Sequence, residues 1–287
     1  MLDLYKSIQN SIGGLNSALR IAISNADNFN TPGFKYTTAS FTSIYNQSIT
    51  SGTESTNPVT IGGSMTLGST NTDFSQGNIS IGTALDSAIV GEGFLILSKS
   101  GTEFTESSPK VFTRLGRFKV DFANQFLTDT FGRKVFGYKV DANGNPVSRT
   151  LVPLQTDGNT DVGFTAGGIL VTNFQKNKDD IASGVNPPTA TVPLYRLALT
   201  TFTNKQGLIP VEGTAYSTTQ ASGQPLEPGS AEEGPYGNIL GSSLESSNID
   251  VARIALDMAL LNRGYSAVQG LVDDLNKILS GLISKLQ

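Results

Sequence analysis

The sequence predicts an α+β protein in which paired heptad helices at the two termini flank a central all-β domain. Two observations predict this class. Apolar residues recur in steps of three and four along both ends of the chain, and short apolar segments separated by glycines fill the centre. We therefore expect an N-terminal helix over 1–30, an extended Ser/Thr/Gly-rich connector over 31–82, a β domain over 83–246 and a C-terminal helix over 247–287.

The N-terminal helix is predicted by an unbroken apolar seam. Its members are Met1, Tyr5, Ile8, Ile12, Leu15, Leu19, Ala22, Ala26 and Phe29. We expect this helix to end near Asn30, because Thr31-Pro32-Gly33 combines a helix terminator with a turn former.

The connector has the composition of a segment that is not ordered by itself, since Ser, Thr, Asn and Gly dominate it. Alternation at Val59-x-Ile61 and Met65-x-Leu67 indicates short strands around Gly62-Gly63. We expect the connector to become ordered only against another part of the protein.

The β domain is predicted from closely spaced strand-like segments, which are typical of an antiparallel sandwich or small barrel. These segments are Phe94–Leu97, Val111–Leu115, Phe118–Val120, Gln125–Thr128, Lys134–Tyr138, Leu151–Leu154, Gly168–Val171 and Leu194–Phe202. Asp141–Pro146 contains Asn-Gly and reads as a turn. Asn173–Pro188 is charged and is interpreted as a solvated excursion, while Ser222–Gly237 lacks a strand period and leads back to the last helix.

The C-terminal helix carries an a/d seam over about five heptads. The seam consists of Val251, Ile254, Met258, Leu261, Tyr265, Val268, Val272, Leu275, Leu279, Leu282 and Leu286. Ser247-Asn248-Ile249-Asp250 is a start signal in which a hydroxyl can cap free N–H groups. A second apolar stripe consists of Leu256, Leu260, Ala267, Leu271 and Ile278. One partner cannot cover both stripes.

Two interpretations of the terminal helices remain open at this point. Amphipathic helices usually pack on a globular core, but matched seams at both termini and the second stripe favour a helical pair that assembles with copies of itself. The candidate assembly residues are Ile8, Ile12, Leu15, Leu19, Phe29, Val251, Ile254, Met258, Leu261, Tyr265, Val268, Leu275, Leu279 and Leu282.

Composition argues against several functional classes. The chain of 287 residues contains no Cys, His or Trp, so the Ser–His and Cys–His arrangements and the usual zinc ligands are missing. A net charge of −4 without a basic stripe argues against nucleic-acid binding. No apolar stretch reaches the length of about 18 residues that a transmembrane helix needs. The N-terminus lacks the pattern of a secretory signal, so we expect no cleaved signal peptide.

No candidate catalytic, cofactor-binding or metal site emerges from the motifs. The paired acids Asp179-Asp180, Glu232-Glu233 and Asp273-Asp274 are adjacent, and adjacent carboxylates do not face each other across a glycoside. Gly91-Glu92-Gly93 lacks the third glycine and the helix of a dinucleotide loop. We therefore expect a protein without enzymatic activity.

Several segments, in order along nearly the whole chain, resemble bacterial flagellar rod and hook proteins. The segment Asn25–Lys35 (NADNFNTPGFK) resembles the N-terminal signature of that family, Asn-x-x-Asn-(x)-Thr-x-Gly-[Phe/Tyr]-Lys. Further matching segments are Asp73–Gly77, Gly91–Phe94, Thr113–Asp121, Leu199–Phe202, Gly207-Leu208, Ser243–Asp250 and Asn262–Tyr265. The matching signature residues are Asn25, Asn28, Thr31, Gly33, Phe34, Lys35 and Arg263. The chain departs from the family where Asn262 replaces Gln and where Ala252-Arg253 replaces acidic residues.

The resemblance implies a homo-oligomeric helical tube in the flagellar hook or basal-body rod, with the terminal helices lining the inner wall and the β domain outside. It also implies neighbouring axial proteins as partners and export through the flagellar apparatus. Thr38-Ala39-Ser40-Phe41 after the signature is hook-like. Two alternatives stay open: a secreted adhesin or effector with coiled-coil ends, and an enzyme acting on polysaccharides.

Overall fold

The protein is α+β, with a helix at each end of a mainly β chain, as the sequence predicts. The computed structural model describes residues 2–43, 46–50, 59–62, 64–98 and 109–286. The chain forms two compact units. The terminal unit comprises Met1–Phe29, Tyr36–Asp73 and Ile249–Gln287, and the central unit comprises Asn30–Lys35 and Phe74–Asn248.

The described helices and strands have the following bounds. The helices are α1, Leu2–Asp27; α2, Phe174–Ala182; and α3, Val251–Leu286. The strands of the terminal unit are β1, Thr37–Ser43; β2, Asn46–Thr50; β3, Val59–Gly62; and β4, Met65–Thr72. The strands of the central unit are β5, Ile79–Ile81; β6, Asp86–Val90; β7, Phe94–Ser98; β8, Lys110–Thr113; β9, Gly116–Arg117; β10, Lys119–Asp121; β11, Phe126–Thr128; β12, Lys134–Lys139; β13, Val152–Pro153; β14, Val162–Phe164; β15, Ile169–Thr172; β16, Val192–Leu197; β17, Leu199–Thr200; β18, Ile209–Val211; β19, Ala215–Ser217; β20, Asn238–Gly241; and β21, Ser243–Glu245.

In the terminal unit α1 packs against α3 and against the antiparallel pair β1 and β4. The strand pair is tied to α1 by a hydrogen bond from Met65 N to Ser11 Oγ, at 3.4 Å. Within α1, Gly14 lies so close to β4 that an added Cβ would be 3.2 Å from Thr66 Cα. This close approach explains why a residue with poor helix propensity stands in the middle of α1.

The segment predicted as an extended connector is divided between the units. Residues 36–73 group with the terminal helices, because β1 and β4 pair over their whole length and pack on α1. Residues 31–35 and 74–82 group with the β strands. The domain boundaries drawn from the sequence stay a prediction, since the observed grouping follows spatial contacts that sequence order does not display.

The central unit is built on an antiparallel sheet in which 12 strands join among the described residues. Its main path runs β14-β15-β16-β12-β7-β8-β19-β18. Strand β7 lies inside this path, where Leu95 is opposite Thr113 of β8 and Val135 of β12 is opposite Leu97. The strand pairs among the described residues of the unit are antiparallel, so the expectation of antiparallel pairing is met there.

Two apolar clusters lie on the two faces of β7. Leu95 and Leu97 belong to one cluster, and Phe94 and Ile96 belong to the other. Because successive side chains of a strand point to opposite faces, a strand buried on both faces is apolar at every position. The uninterrupted run at Phe94–Leu97 therefore has a structural reason.

Two local expectations are corrected by the structure. Within Asn173–Pro188, interpreted as a solvated excursion, residues Phe174–Ala182 form α2, whose side chain Phe174 packs into the unit beside Gly163. The start of α3 is capped by Asp250, whose Oδ1 accepts a hydrogen bond from Ala252 N at 2.9 Å, and no Ser247 hydroxyl is used. Ser247 stands too far ahead of Val251 to reach the first free N–H groups. Among the described residues, no helix combines the length and apolarity needed to cross a membrane.

Candidate assembly surface and signature segment

The second apolar stripe of α3 is exposed in the terminal unit. Leu260 is 57% exposed and Leu271 is 59% exposed, and the other large members behave alike. We call this set the outer stripe, and it consists of Leu256, Leu260, Ala267, Leu271 and Ile278. Contiguous exposed apolar side chains on a soluble protein mark interaction surfaces more often than isolated ones do.

The candidate assembly residues of α1, and those of the a/d seam of α3, which we call the first seam, are mostly less exposed than the outer stripe. Ile8, Leu15 and Ile254 are buried, and most of the others are half-buried. The half-buried members are Ile12, Leu19, Met258, Leu261, Tyr265, Val268, Leu275 and Leu279. Phe29 and Val251 are exposed, and the side chain of Leu282 lies outside the described side chains.

The contact between α1 and α3 accounts for this burial. An added Cβ on Gly264 of α3 would be 3.3 Å from Leu15 Cδ2 of α1, so Gly264 allows the two helices to approach. The first seam is thus largely occupied within one chain. The outer stripe is the apolar surface of α3 that remains available to other molecules.

A cleft of about 230 Å³ lies beside the outer stripe, between α1, β1 and α3. Its apolar lining includes Ile21, Phe41, Leu260 and Leu261. The cleft is continuous with the outer stripe because Leu260 belongs to both.

The signature residue Asn25 holds the start of β1. Its side chain is buried, its Nδ2 donates to Thr37 O at 2.7 Å, and its Oδ1 accepts from Thr37 N at 3.0 Å. An amide side chain can satisfy both backbone groups of one residue in this way, which a carboxylate or hydroxyl cannot do as well. Asn25 therefore joins the first residue of β1 to α1 by two hydrogen bonds.

Tyr36, the residue before β1, connects the start of this strand to α3. Its hydroxyl donates to Asp257 Oδ2, and the Arg253 guanidinium lies 4.4 Å from its ring centroid. Burial, together with the hydrogen bond to the Asp257 carboxylate, raises the pKa of Tyr36 to about 12. The phenol therefore stays neutral and keeps donating at every physiological pH.

Gly33 is the signature glycine and belongs to the central unit. Its φ is +72°, and an added Cβ would be 3.1 Å from Leu115 Cα and 3.2 Å from Leu115 N. Its N–H donates to Glu245 O at 2.9 Å. Only glycine combines this backbone conformation with such a close approach to another backbone.

Lys35, the last signature residue, is buried in an ionic cluster of the central unit. Its Nζ is 2.7 Å from Glu245 Oε1, and the Nε of Arg114 is 3.1 Å from Glu245 Oε2. All three side chains are at most 2% exposed. The cluster joins residues that are 210 positions apart in sequence.

The cluster holds two cations and one carboxylate, so the charge of Glu245 alone does not balance it. Backbone carbonyl oxygens accept further hydrogen bonds from the two cations. Lys35 Nζ also donates to Ser75 O at 2.7 Å, while Arg114 Nη1 donates to Gly91 O and Gly93 O at 3.0 and 3.1 Å. Buried charges are tolerated only when they are paired and hydrogen-bonded in this way.

The other signature residues have simpler surroundings. Asn28 Nδ2 donates to Ser24 O, and Thr31 O accepts from Phe34 N in the turn. Phe34 is half-buried, and Arg263 is exposed on α3. The assignment of Asn28 and Arg263 as signature residues rests on the resemblance and stays a prediction.

Sequence reasoning missed the partners of the signature residues as site residues. Arg114 and Glu245 were quoted only as parts of matching segments, and Asp257 was not singled out. The available signal is a charged residue inside an apolar strand, because such a residue needs a buried partner. That signal gives no indication of which partner is used.

The fold and these sites define a class: an α+β protein with paired terminal helices, an exposed apolar helix face and a β unit that holds residues 30–35 of the signature segment. The chain is 34% identical to the flagellar hook protein FlgE of Helicobacter pylori over 125 residues, which are 44% of this chain and 17% of that protein. It is 28% identical to the flagellar basal-body rod protein FlgG of Agrobacterium fabrum over 280 residues, with 91% of this chain and 92% of that protein covered.

The rod protein FlgG of Bacillus subtilis is 25% identical over 293 residues, with 98% of this chain and 99% of that protein covered. No family model matches the chain. These relatives are flagellar hook and rod proteins, and the chain is similar to them.

Proposed function

We propose that this chain is a structural subunit that assembles with copies of itself into the tubular axis of the bacterial flagellum and transmits torque there. The names of the relatives, flagellar hook protein and flagellar basal-body rod protein, support this function. In the proposed tube the terminal helices line the inner wall and the central unit forms the outer layer. Neighbouring axial proteins and the flagellar export apparatus are its proposed partners.

The observation that carries the proposal is the outer stripe. Packing against α1 covers most of the first seam of α3. Four large aliphatic side chains on one face of α3 remain exposed. Burying one such side chain contributes about 1.5–3 kcal/mol, so a stripe of them is a strong driving force for association. A second copy of the same helix pair carries the same stripe and can cover it between Leu256 and Ile278.

The choice between hook and rod belongs to the same proposal. The segment Thr38–Phe41 is hook-like, whereas the rod proteins align with this chain nearly end to end. The hook protein of H. pylori is matched over only 17% of its length. The length correspondence supports a subunit of rod-like size.

The proposal contains no catalytic activity, because the relatives are structural proteins by name. It also differs from the two alternatives drawn from the sequence. The relatives give no support to a secreted adhesin or effector. An enzyme acting on polysaccharides has no support from them either.

The proposal is tested with three aspartate variants of α3. Leu271→Asp places a charge on the outer stripe, where it is hydrated in the free subunit and desolvated in the tube. We expect it to abolish assembly while leaving the helix content of the free subunit unchanged. Leu261→Asp charges the half-buried seam, and we expect it to lower the stability of the free helix pair as well as to abolish assembly.

Asn262→Asp is the matched control, since it adds the same charge to an exposed position off the stripe. Sedimentation and electron microscopy measure assembly, and circular dichroism measures helix content. Normal tubes formed by the Leu271→Asp variant would contradict the proposal. Equal loss of assembly in the Asn262→Asp variant would show that added charge, not the stripe, is responsible.

A further inference from the structure

The chain passes between the terminal and central units four times, at 29/30, 35/36, 73/74 and 248/249. Any load carried along the backbone from one unit to the other passes through these connections. On the central side, Lys35, Ser75 and Asn248 each lie within two residues of one of three junctions. They are distant in sequence, and Lys35 and Asn248 each donate a hydrogen bond to Ser75.

Ser75 is the meeting point of this group. Its carbonyl oxygen accepts from Lys35 Nζ at 2.7 Å and from Asn248 Nδ2 at 3.2 Å. Asn248 Nδ2 is also 3.1 Å from Ser75 Oγ. The three chain segments that leave the central unit at 35, 74 and 248 are thus fastened together at one place within it.

Glu245 adds further hydrogen bonds to this group. Its Oε1 accepts from Lys35 Nζ at 2.7 Å and from Gly77 N at 2.9 Å, and its backbone oxygen accepts from Gly33 N at 2.9 Å. Arg114 then links Glu245 to the carbonyl oxygens of Gly91 and Gly93, next to β7 in the core sheet. A continuous chain of bonds therefore runs from the junction residues into the rigid part of the unit.

Stability alone does not explain a buried ionic cluster. Apolar side chains of similar volume often give equal or greater stability than a buried ion pair. A charged cluster differs in its resistance to separation, because pulling Lys35 from Glu245 leaves unpaired charges in a low-dielectric interior. It also restricts the arrangement of its partners, since every buried donor needs an acceptor.

We propose that Lys35, Ser75, Glu245 and Asn248, anchored by Arg114, form a junction clamp that makes the chain connections share torsional load. The proposal rests on the proposed torque-transmitting function. In a rotating tube the clamp distributes force over three connections and passes it to the core sheet through Arg114. Without it, force on one segment peels that segment away from the central unit before the others bear load.

The test uses full-length variants in a strain that lacks the chromosomal copy. Glu245→Gln removes the carboxylate charge of the clamp, and with it the ionic pairing of Lys35 and Arg114, whose positive charges remain. Asp129→Asn is the matched control, because Asp129 is another buried carboxylate of the central unit and is paired with Arg133 at 2.5 Å, away from the junctions. Unfolding in urea measures how far each substitution lowers the free energy of unfolding.

Flagellar rotation is then measured in tethered cells as the viscosity of the medium is raised. We expect the Glu245→Gln variant to assemble, to rotate normally at low load and to lose rotation at high load. The Asp129→Asn variant should keep rotating at high load even when its stability is lowered as much. Equal behaviour of the two variants at high load would overturn the clamp and leave a purely structural role.

Asn248→Ala covers the case in which Glu245→Gln prevents assembly, since it removes the bonds to Ser75 without leaving a buried charge. We expect it to lose rotation at high load while forming tubes, and normal rotation at high load would overturn the clamp. Labelling of isolated basal bodies separates the two proposals. If the unaltered chain is missing from the flagellar axis, the proposed function fails; if it is present and Asn248→Ala has no effect, only the clamp fails.

Discussion

Lys35 shows how one residue of a short motif can contact a part of the protein far from it in sequence. It follows α1 and the turn at Thr31–Phe34, yet its ammonium group is buried against Glu245 near the other end of the chain. Gly33 reaches the same residue through its backbone N–H. Residues 30–35 of the signature segment are therefore held on the central unit by Gly33 and Lys35.

Gly33→Ala should destabilise the central unit more than Gly132→Ala. Both glycines have φ near +75°, so both variants carry the strain of a left-handed backbone, roughly 1 kcal/mol. Only at Gly33 would the new Cβ also press on the Leu115 backbone, whereas Gly132 faces open space. Urea unfolding monitored by fluorescence measures the difference, and equal losses in the two variants would contradict the account of Gly33.

Tyr36→Phe should show a pH-dependent effect in the terminal unit. The pKa of Tyr36 is raised to about 12 in the folded chain, against about 10 in the unfolded chain. Its contribution is therefore complete below pH 10 and is lost as the pH rises towards 12, because the unfolded chain ionises first. The stability advantage of the unaltered chain over Tyr36→Phe should shrink between pH 9 and pH 11.

The free energy of unfolding of both proteins is measured at those pH values. The other tyrosines are common to both proteins, so the difference between the two free energies reports on Tyr36. The expected reduction is at most about 2 kcal/mol. An advantage that stays constant over the range would show that the Tyr36 hydroxyl is not held neutral by burial and Asp257.

At the scale of elements, α3 has two apolar faces with different surroundings. Its first seam is half-buried beside α1, with Gly264 allowing the approach of Leu15. Its outer stripe stays exposed. A helix of this kind is only partly satisfied within one chain, which is the property expected of a subunit that completes its packing on assembly.

The N-terminus of α3 depends on one cap. Asp250→Ala removes the acceptor for Ala252 N and should cost about 1 kcal/mol of helix stability. Asp250→Asn keeps an acceptor and should cost much less. Thermal unfolding followed at the helix band of circular dichroism compares them, and equal midpoints for Ala and Asn would show that the Asp250 cap is dispensable.

The α+β class and the terminal helices were predictable because each depends on local periodicity. The apolar run at Phe94–Leu97 was likewise readable as a buried strand, since burial on both faces leaves no polar position in it. The short helix α2 was missed because its charged sequence has few apolar residues, and its buried side chain is Phe174.

The ionic cluster was not predictable in the same way. Lys35 was quoted as a signature residue, but its partner Glu245 lies 210 positions away, and no local pattern connects the two. The grouping of residues 36–73 with the terminal helices has the same origin, since it follows from the pairing of β1 with β4 and their packing on α1. Long-range partners are decided by tertiary contacts, which a single sequence leaves open.

At the scale of the whole molecule, the division into units does not follow the order of the chain. The terminal unit consists of three separate segments, and the central unit includes residues 30–35, the second part of the signature segment, from between two of them. The helices and the β strands can therefore be altered separately only if residues 30–35 stay with the strands.

Two truncated chains test this division. Fragment 30–248 keeps the clamp and should be a soluble monomer that forms no tubes. Fragment 36–248 lacks Gly33 and Lys35 and should be less stable by about 3 kcal/mol or more, because Glu245 and Arg114 lose partners in a buried site. Sedimentation and urea unfolding measure both properties. Equal stability of the two fragments would contradict the role given to the signature segment.

The central claim is that the chain is a structural subunit of the flagellar axis, assembled through the outer stripe of α3. Gold labelling of an epitope-tagged chain in isolated hook–basal bodies tests it most directly, with unaltered and Leu271→Asp chains produced at equal levels. The account predicts label along the rod or hook for the unaltered chain and none for the variant. Label that is absent from the axial structure of cells producing the unaltered chain would contradict it.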